Sequence, residues 1–152
     1  MKTKVLIITI ACTLLGLHNS FSQEWIRIYN DTISTLAFTI DEHYDKGYLF
    51  AGKKEEGWTT YGWVMKTDIN GNKLWTKSYG LPGKINSISS SRLTNDNGLI
   101  TIGGSNNISS NCDDPIIYKI NACGEKEWCR VFNAPGCDAW GQDIELTTDG
   151  YM

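Results

Sequence analysis

Two acid pairs, Glu55-Glu56 and Asp113-Asp114, are the first residues to consider for chemistry. Paired carboxylates hydrolyse a glycosidic bond when they flank it at about 5–10 Å. Both pairs are expected on surface loops, where neighbouring acids more often solvate the chain. Asp68-x-Asn70-x-Asn72 spaces three oxygen donors like the opening of a calcium loop. Asn-Gly turn chemistry already accounts for that run, so the reading is a turn, and no metal is assigned. A Ser-His-Asp arrangement needs an available histidine. His43 stands beside a turn and is read as a surface residue. Gly103-Gly104 lies in a strand-like run with no helix after it, so it is not a phosphate loop. No catalytic residue and no cofactor are assigned.

Two tryptophans offer binding chemistry instead. Trp58, within EEGWTT, and Trp140 have no counterpart elsewhere in the chain. Exposed aromatic rings stack on sugars and on peptide side chains. The plainer alternative, that they cap the edge of the core, stays open.

The N-terminus decides where this chemistry takes place. Lys2 and Lys4 precede an uncharged run from Val5 to Leu17, and Ser20 and Ser22 suit the −3 and −1 positions of a cleavage after Ser22. That order is a secretory signal peptide over residues 1–22. The run is too short to span a bilayer, which takes about 20 residues. Cys12 lies mid-run, which argues against a lipoprotein signal. The expected destination is the cell surface or the medium. Loss of Lys2 and Lys4 takes the formal charge from −3 to −5. The one dibasic step, Lys53-Lys54, runs straight into Glu55-Glu56, so the positive surface that nucleic acid needs is absent. No second long apolar run suggests a membrane span.

The elements that position these residues come from a repeat. Gly62–Tyr79 (GWVMKTDINGNKLWTKSY) matches Pro115–Phe132 (PIIYKINACGEKEWCRVF). Lys66 aligns with Lys119, Gly71 with Gly124, Trp75 with Trp128 and Tyr79 with Phe132, every offset being 53. Ile40, Leu93 and Leu146 follow the same step. Asp45-Lys46-Gly47, Asp96-Asn97-Gly98 and Thr148-Asp149-Gly150 recur as turns before apolar runs. Trp25 to Tyr29 repeats the Trp-x-x-x-aromatic pattern of Trp75–Tyr79. Each repeat reads as four short alternating strands, A to D, at about 33–41, 47–52, 62–68 and 73–79, then 85–94, 98–104, 115–121 and 126–132. Asn70-Gly71 signals a two-residue hairpin turn with both residues at positive φ.

Four antiparallel strands per repeat of this length suit an all-β, partial β-propeller, whose lone blades must stack to cover two apolar faces. The pattern (D/N)-G-x-Ile/Leu-x-x-G, then x-Lys-x-(D/N)-x-x-G-x-x-x-Trp, resembles blades of the quinoprotein-like propeller superfamily. It is most similar to long exported repeat proteins of the Bacteroidetes type. The Asp68-to-Trp75 interval is one residue shorter than in the quinoprotein tryptophan-docking motif. Gly103-Gly104, Tyr118 and Trp128 follow the kelch order, which makes kelch repeats the rival resemblance.

The resemblance implies a strand D over 25–30, blades over 33–79 and 85–132, and the opening of a third blade over 139–152. Trp25, Trp75 and Trp128 would pack between blades, with Gly71 and Gly124 in the C–D turns. A ring needs at least about four blades, so further C-terminal blades are expected and the chain reads as an N-terminal fragment. The expected function is a non-enzymatic binding or scaffold module at the cell surface for a carbohydrate or protein ligand. The alternatives are a propeller enzyme, quinone-dependent or glycoside-acting, and a fragment without independent function.

Cys112, Cys123, Cys129 and Cys137 survive export, and clustered cysteines in an exported chain suggest disulfides. No C-x-x-C pair offers a zinc site. If strands C and D turn at Cys123-Gly124, opposed residues sum to 247 and Tyr118 faces Cys129. Cys112 and Cys137 then share the open end of that hairpin and are the expected bridge. Cys123–Cys129 follows by elimination, against a geometry that separates the two along the ladder.

Overall fold

The computed structural model describes residues 26–29, 33–81, 83–107, 112–133, 139–148 and 150–151. Residues 1–22, read above as a signal peptide, and Trp25 and Cys137 lie outside the described residues. All regular structure described is β-strand. The first sheet contains β1 (Thr35–Glu42), β2 (Tyr48–Glu56), β3 (Thr59–Thr67) and β4 (Lys73–Tyr79). The second contains β5 (Lys84–Leu93), β6 (Leu99–Asn107), β7 (Asp113–Ile120) and β8 (Lys126–Val131). Each is an antiparallel meander in sequence order. A short pair follows, β9 (Leu146–Thr147) with β10 (Gly150–Tyr151).

Four turns share one construction. Asp68 N donates to Asn72 O, and Gly71 N to Asp68 O. His43–Gly47, Thr94–Gly98 and Asn121–Glu125 repeat the same two bonds. The fourth residue of each turn is left-handed: Lys46, Gly71, Asn97 and Gly124, at φ 67, 74, 62 and 76. This is the three-residue hairpin loop with a left-handed closing residue. The expected two-residue Asn70-Gly71 turn is therefore corrected, since Gly71 alone of the two takes positive φ.

The strand C–D register follows the 53-residue step: Lys66 opposes Trp75 and Lys119 opposes Trp128. Strand A does not. Glu42 opposes Tyr48 as Leu93 opposes Leu99, so the step there is 51 and Leu93 is the counterpart of Glu42, not of Ile40. The difference is absorbed between β6 and β7, where the second repeat has the longer connection.

The two sheets pack face to face, with β5 lying across β1, β2 and β3. Leu49, Ala51, Val64 and Tyr79 from the first meet Ile88, Leu99, Ile116, Tyr118 and Ile120 from the second in one buried cluster. Removing such aliphatic and aromatic side chains from water is the main stabilising term of the fold, about 1.5–3 kcal/mol each. Strands β1 and β5 touch where Ser91 Oγ lies 3.2 Å from Thr39 Oγ1 and donates to Asp41 across 2.6 Å.

Strand β4 docks on the next sheet's C–D turn. Trp75 rests against Gly124, the Tyr79 hydroxyl donates to Gly124 O at 2.9 Å, and Lys77 Nζ donates to Cys123 O at 2.9 Å. Residues 26–29 dock on the first sheet in the same way. Tyr29 OH donates to Gly71 O at 2.7 Å, and Arg27 Nε to Asn70 O at 3.0 Å.

Candidate functional site

The first B–C connection is a hairpin tip and not the longer loop expected. Glu56 opposes Thr59, and Gly57 at φ 61 turns the chain in two residues. Trp58 is left 96 % exposed at the tip. Trp140 lies elsewhere, and no contact joins the two among the described residues. Its indole covers Gly104, where any Cβ would collide with the ring, and its Nε1 donates to Ser89 Oγ at 2.6 Å. The segment carrying it is pinned by Ala139 N to Asp113 O (3.1 Å) and Gly141 N to Gly103 O (3.2 Å).

Trp140 lines a groove of about 300 Å³ with Phe38, Ser89 and Gln142. Two of these residues share one structural position. Phe38 is the residue skipped by the β1–β2 ladder between Ala37 and Thr39, and Ser89 the one skipped by β5–β6 between Ile88 and Ser90. Each stands four residues before the strand-closing residue, Glu42 or Leu93. A bulge leaves its extra residue unpaired and re-aims the side chain. Strands β1 and β5 thus bring their bulge residues to one place, beside Trp140 and Gln142.

Among the described residues, charges flank the groove without lining it. Ser90 Oγ donates to Asp143 at 2.5 Å, and Arg92 Nη2 to Glu145 at 2.6 Å. The Ser90 hydroxyl holds the Asp143 carboxyl below its ordinary range, and the Glu145 hydrogen bond raises the Arg92 guanidinium further.

The acid pairs are not loop residues. Glu55 and Glu56 end β2, and Asp113 and Asp114 begin β7. Successive strand residues point to opposite faces, so neither pair converges on one bond. Glu55 takes Lys53 at 2.8 Å and Glu56 takes Lys54 at 2.6 Å. Asp68 spends its carboxylate on its own turn, accepting from Asn72 Nδ2, Asn72 N and Asn70 N, each at 2.8 Å, and those bonds lower its pKa.

His43 is buried, which corrects its reading as a surface residue. Its Nδ1 lies 2.7 Å from Lys66 Nζ and its Nε2 3.2 Å from Asn97 O in the neighbouring sheet's turn. The first A–B turn packs on the second, and that contact hides the ring. Lys66 also donates to Asp45 at 2.5 Å, and Lys119 repeats the bond to Asp96 at 2.8 Å.

Tyr118 faces Cys129, as the 247 register requires. Cys123 and Cys129 are free thiols, so the expected Cys123–Cys129 bridge is not formed. Cys123 is held in the turn by its amide bond to Asn121 Oδ1, while Cys129 packs on the inter-sheet core. Cys112 is not among the free thiols; Cys137, its expected partner, lies outside the described residues.

Trp75 packs between the sheets, whereas Trp128, at the same register position, is 42 % exposed. Phe38, Ser89 and Gln142 are the residues that sequence reasoning missed. The strand-A step of 51 in place of 53 is the signal that would have brought Phe38 and Ser89 into line. The chain matches no protein-family model and no curated protein.

Proposed function

We propose that this chain is an exported, non-enzymatic binding or scaffold module built as consecutive β-propeller blades. The observation that carries this reading is the repeated docking contact. Tyr29 meets Gly71 as Tyr79 meets Gly124, which supports reading residues 26–29 as the outer strand of a blade preceding the first sheet. Identical sheet order, turn construction and inner-strand contact support the same architecture. Export is supported by the composition of residues 1–22, and the cell surface or medium is the place of action. The acids that a hydrolase would pair stand on opposite faces of their strands, which favours binding over catalysis.

The test is fractionation of the cells that make the protein, followed by N-terminal sequencing and a binding assay. The expected product lies outside the cytoplasm, begins at Gln23, and retains envelope polysaccharide or envelope protein saturably without altering it. A cytoplasmic product that keeps residues 1–22, or turnover of the retained material, overturns the reading.

A further inference from the structure

We propose that the groove formed by Phe38, Ser89, Trp140 and Gln142 binds a neutral saccharide, with ligand choice set in part by the two bulge residues, Phe38 and Ser89. This inference rests on the binding-module reading and assigns it a ligand class and a site.

The groove holds two aromatic rings that are not needed to close a core. Phe38 is 53 % exposed and Trp140 is 38 % exposed. The Trp140 ring cannot swing freely, because Ser89 fixes its Nε1 edge and Gly104 lies under one face. Its other face is therefore presented ready-made, and ligand binding does not have to order it. The apolar faces of a pyranose ring suit such a platform. Between the rings stand the Ser89 hydroxyl, with lone-pair capacity beyond its bond to Trp140, and the exposed Gln142 amide, which both donates and accepts. Small-molecule sites combine apolar walls with a few placed polar groups in this way. Among the described residues the lining carries no ionised side chain, which suits a neutral sugar better than a charged one.

A peptide ligand fits less well. Peptides bind sheet edges by adding a strand, which needs an uninterrupted row of amides and carbonyls. The edges at the groove are β1 and β5, and both carry their bulge there. Bulges are a device that blunts strand addition. What the edges offer at that point is side chains.

The bulge position carries a different residue in each sheet: Phe38 in the first, Ser89 in the second. Substitution there alters the lining without touching the ladders, so Phe38→Ser, which copies the second repeat into the first, removes a stacking wall and leaves the fold alone.

The test uses the mature secreted chain and calorimetric titration with cello-, xylo-, manno-, malto- and chitohexaose, with oligogalacturonate as the acidic probe and a tryptophan-containing hexapeptide as the peptide probe. At least one neutral hexasaccharide binds. Phe38→Ser and Trp140→Ala each weaken it about tenfold or more, the effect of losing about half the burial of one aromatic ring. Gln142→Ala weakens it less, and Trp58→Ala leaves it unchanged. Thermal melts check each variant; if Trp140→Ala fails to fold, the exposed Phe38 and Gln142 variants carry the test. Binding of the acidic or peptide probe alone, or no binding of any probe, overturns the proposal. A saccharide released by Trp58→Ala but held undiminished by Phe38→Ser overturns the groove while sparing the binding-module reading. Hydrolysis of the bound saccharide overturns that reading itself.

Discussion

The Tyr29 hydroxyl donates to the Gly71 carbonyl across 2.7 Å, and Tyr79 does the same to Gly124 across 2.9 Å. The donors are 50 residues apart and the acceptors 53, so one docking geometry serves two junctions. One bond fastens residues 26–29 to the C–D turn of the first sheet, and the other fastens β4 to the C–D turn of the second. Tyr79→Phe leaves a buried carbonyl unpaired, at a cost of about 1–2 kcal/mol. Tyr29→Phe, at a less buried junction, costs about 0.5–1 kcal/mol by the same mechanism. Urea unfolding of the two variants measures both. A Tyr29→Phe variant as stable as the parent means that residues 26–29 do not dock in solution.

Gly124 is required twice over. Its φ of 76 disfavours a side chain, and an added Cβ would sit 3.0 Å from the Trp75 ring. Gly83 has a similar φ of 67 and open space around it. Gly83→Ala therefore isolates the backbone penalty, about 1–2 kcal/mol, and Gly124→Ala costs more by the displacement of Trp75. Thermal melts of the two variants report the difference, and equal losses would remove Trp75 from the argument.

Lys119 is buried and reaches the half-exposed Asp96 at 2.8 Å. The Lys119 and Thr94 hydrogen bonds hold the Asp96 carboxyl well below its ordinary range. A carboxyl with a depressed folded pKa adds stability above its unfolded value, about 3.9, and loses it as pH falls through the folded value. Stability should thus decline below about pH 4. Lys119→Met removes the bond, costs about 1–2 kcal/mol at neutral pH after allowance for the exposure of Asp96, and flattens that decline. Denaturant midpoints from pH 2 to pH 7 test both effects. A variant with the parent's acid slope would contradict the assignment.

The thiols divide into two kinds. Cys123 and Cys129 are free, with Cys123 exposed and Cys129 partly covered. Without reductant, iodoacetamide should label Cys123 readily and Cys129 more slowly, while Cys112 and Cys137 resist labelling as a bridged pair. Non-reducing peptide mapping should join Cys112 to Cys137. A peptide joining Cys123 to Cys129 would contradict the turn geometry at Asn121–Glu125.

The strands and their order were legible because period-2 alternation and punctuating Gly, Asn and Asp residues are local signals. The C–D register was legible for the same reason, since Gly71 and Gly124 anchor identical turns. The bulges were not. Phe38 and Ser89 show themselves only against a partner strand, and partner pairing is a non-local property. His43 was misread because its burial comes from the neighbouring repeat's turn through Asn97 O, which no window around His43 contains. Trp58 and Trp140 were found as unrepeated aromatics, but only the fold separates a hairpin tip from a groove wall.

One recurring contact fastens residues 26–29 to the first sheet and β4 to the second. A crystal structure of the protein tests it most directly. One rotation should carry the Tyr29–Gly71 junction onto the Tyr79–Gly124 junction, with both hydroxyls within hydrogen-bonding distance of their carbonyls. Residues 26–29 found away from the Gly71 turn, or the two sheets joined edge to edge into one, would contradict it.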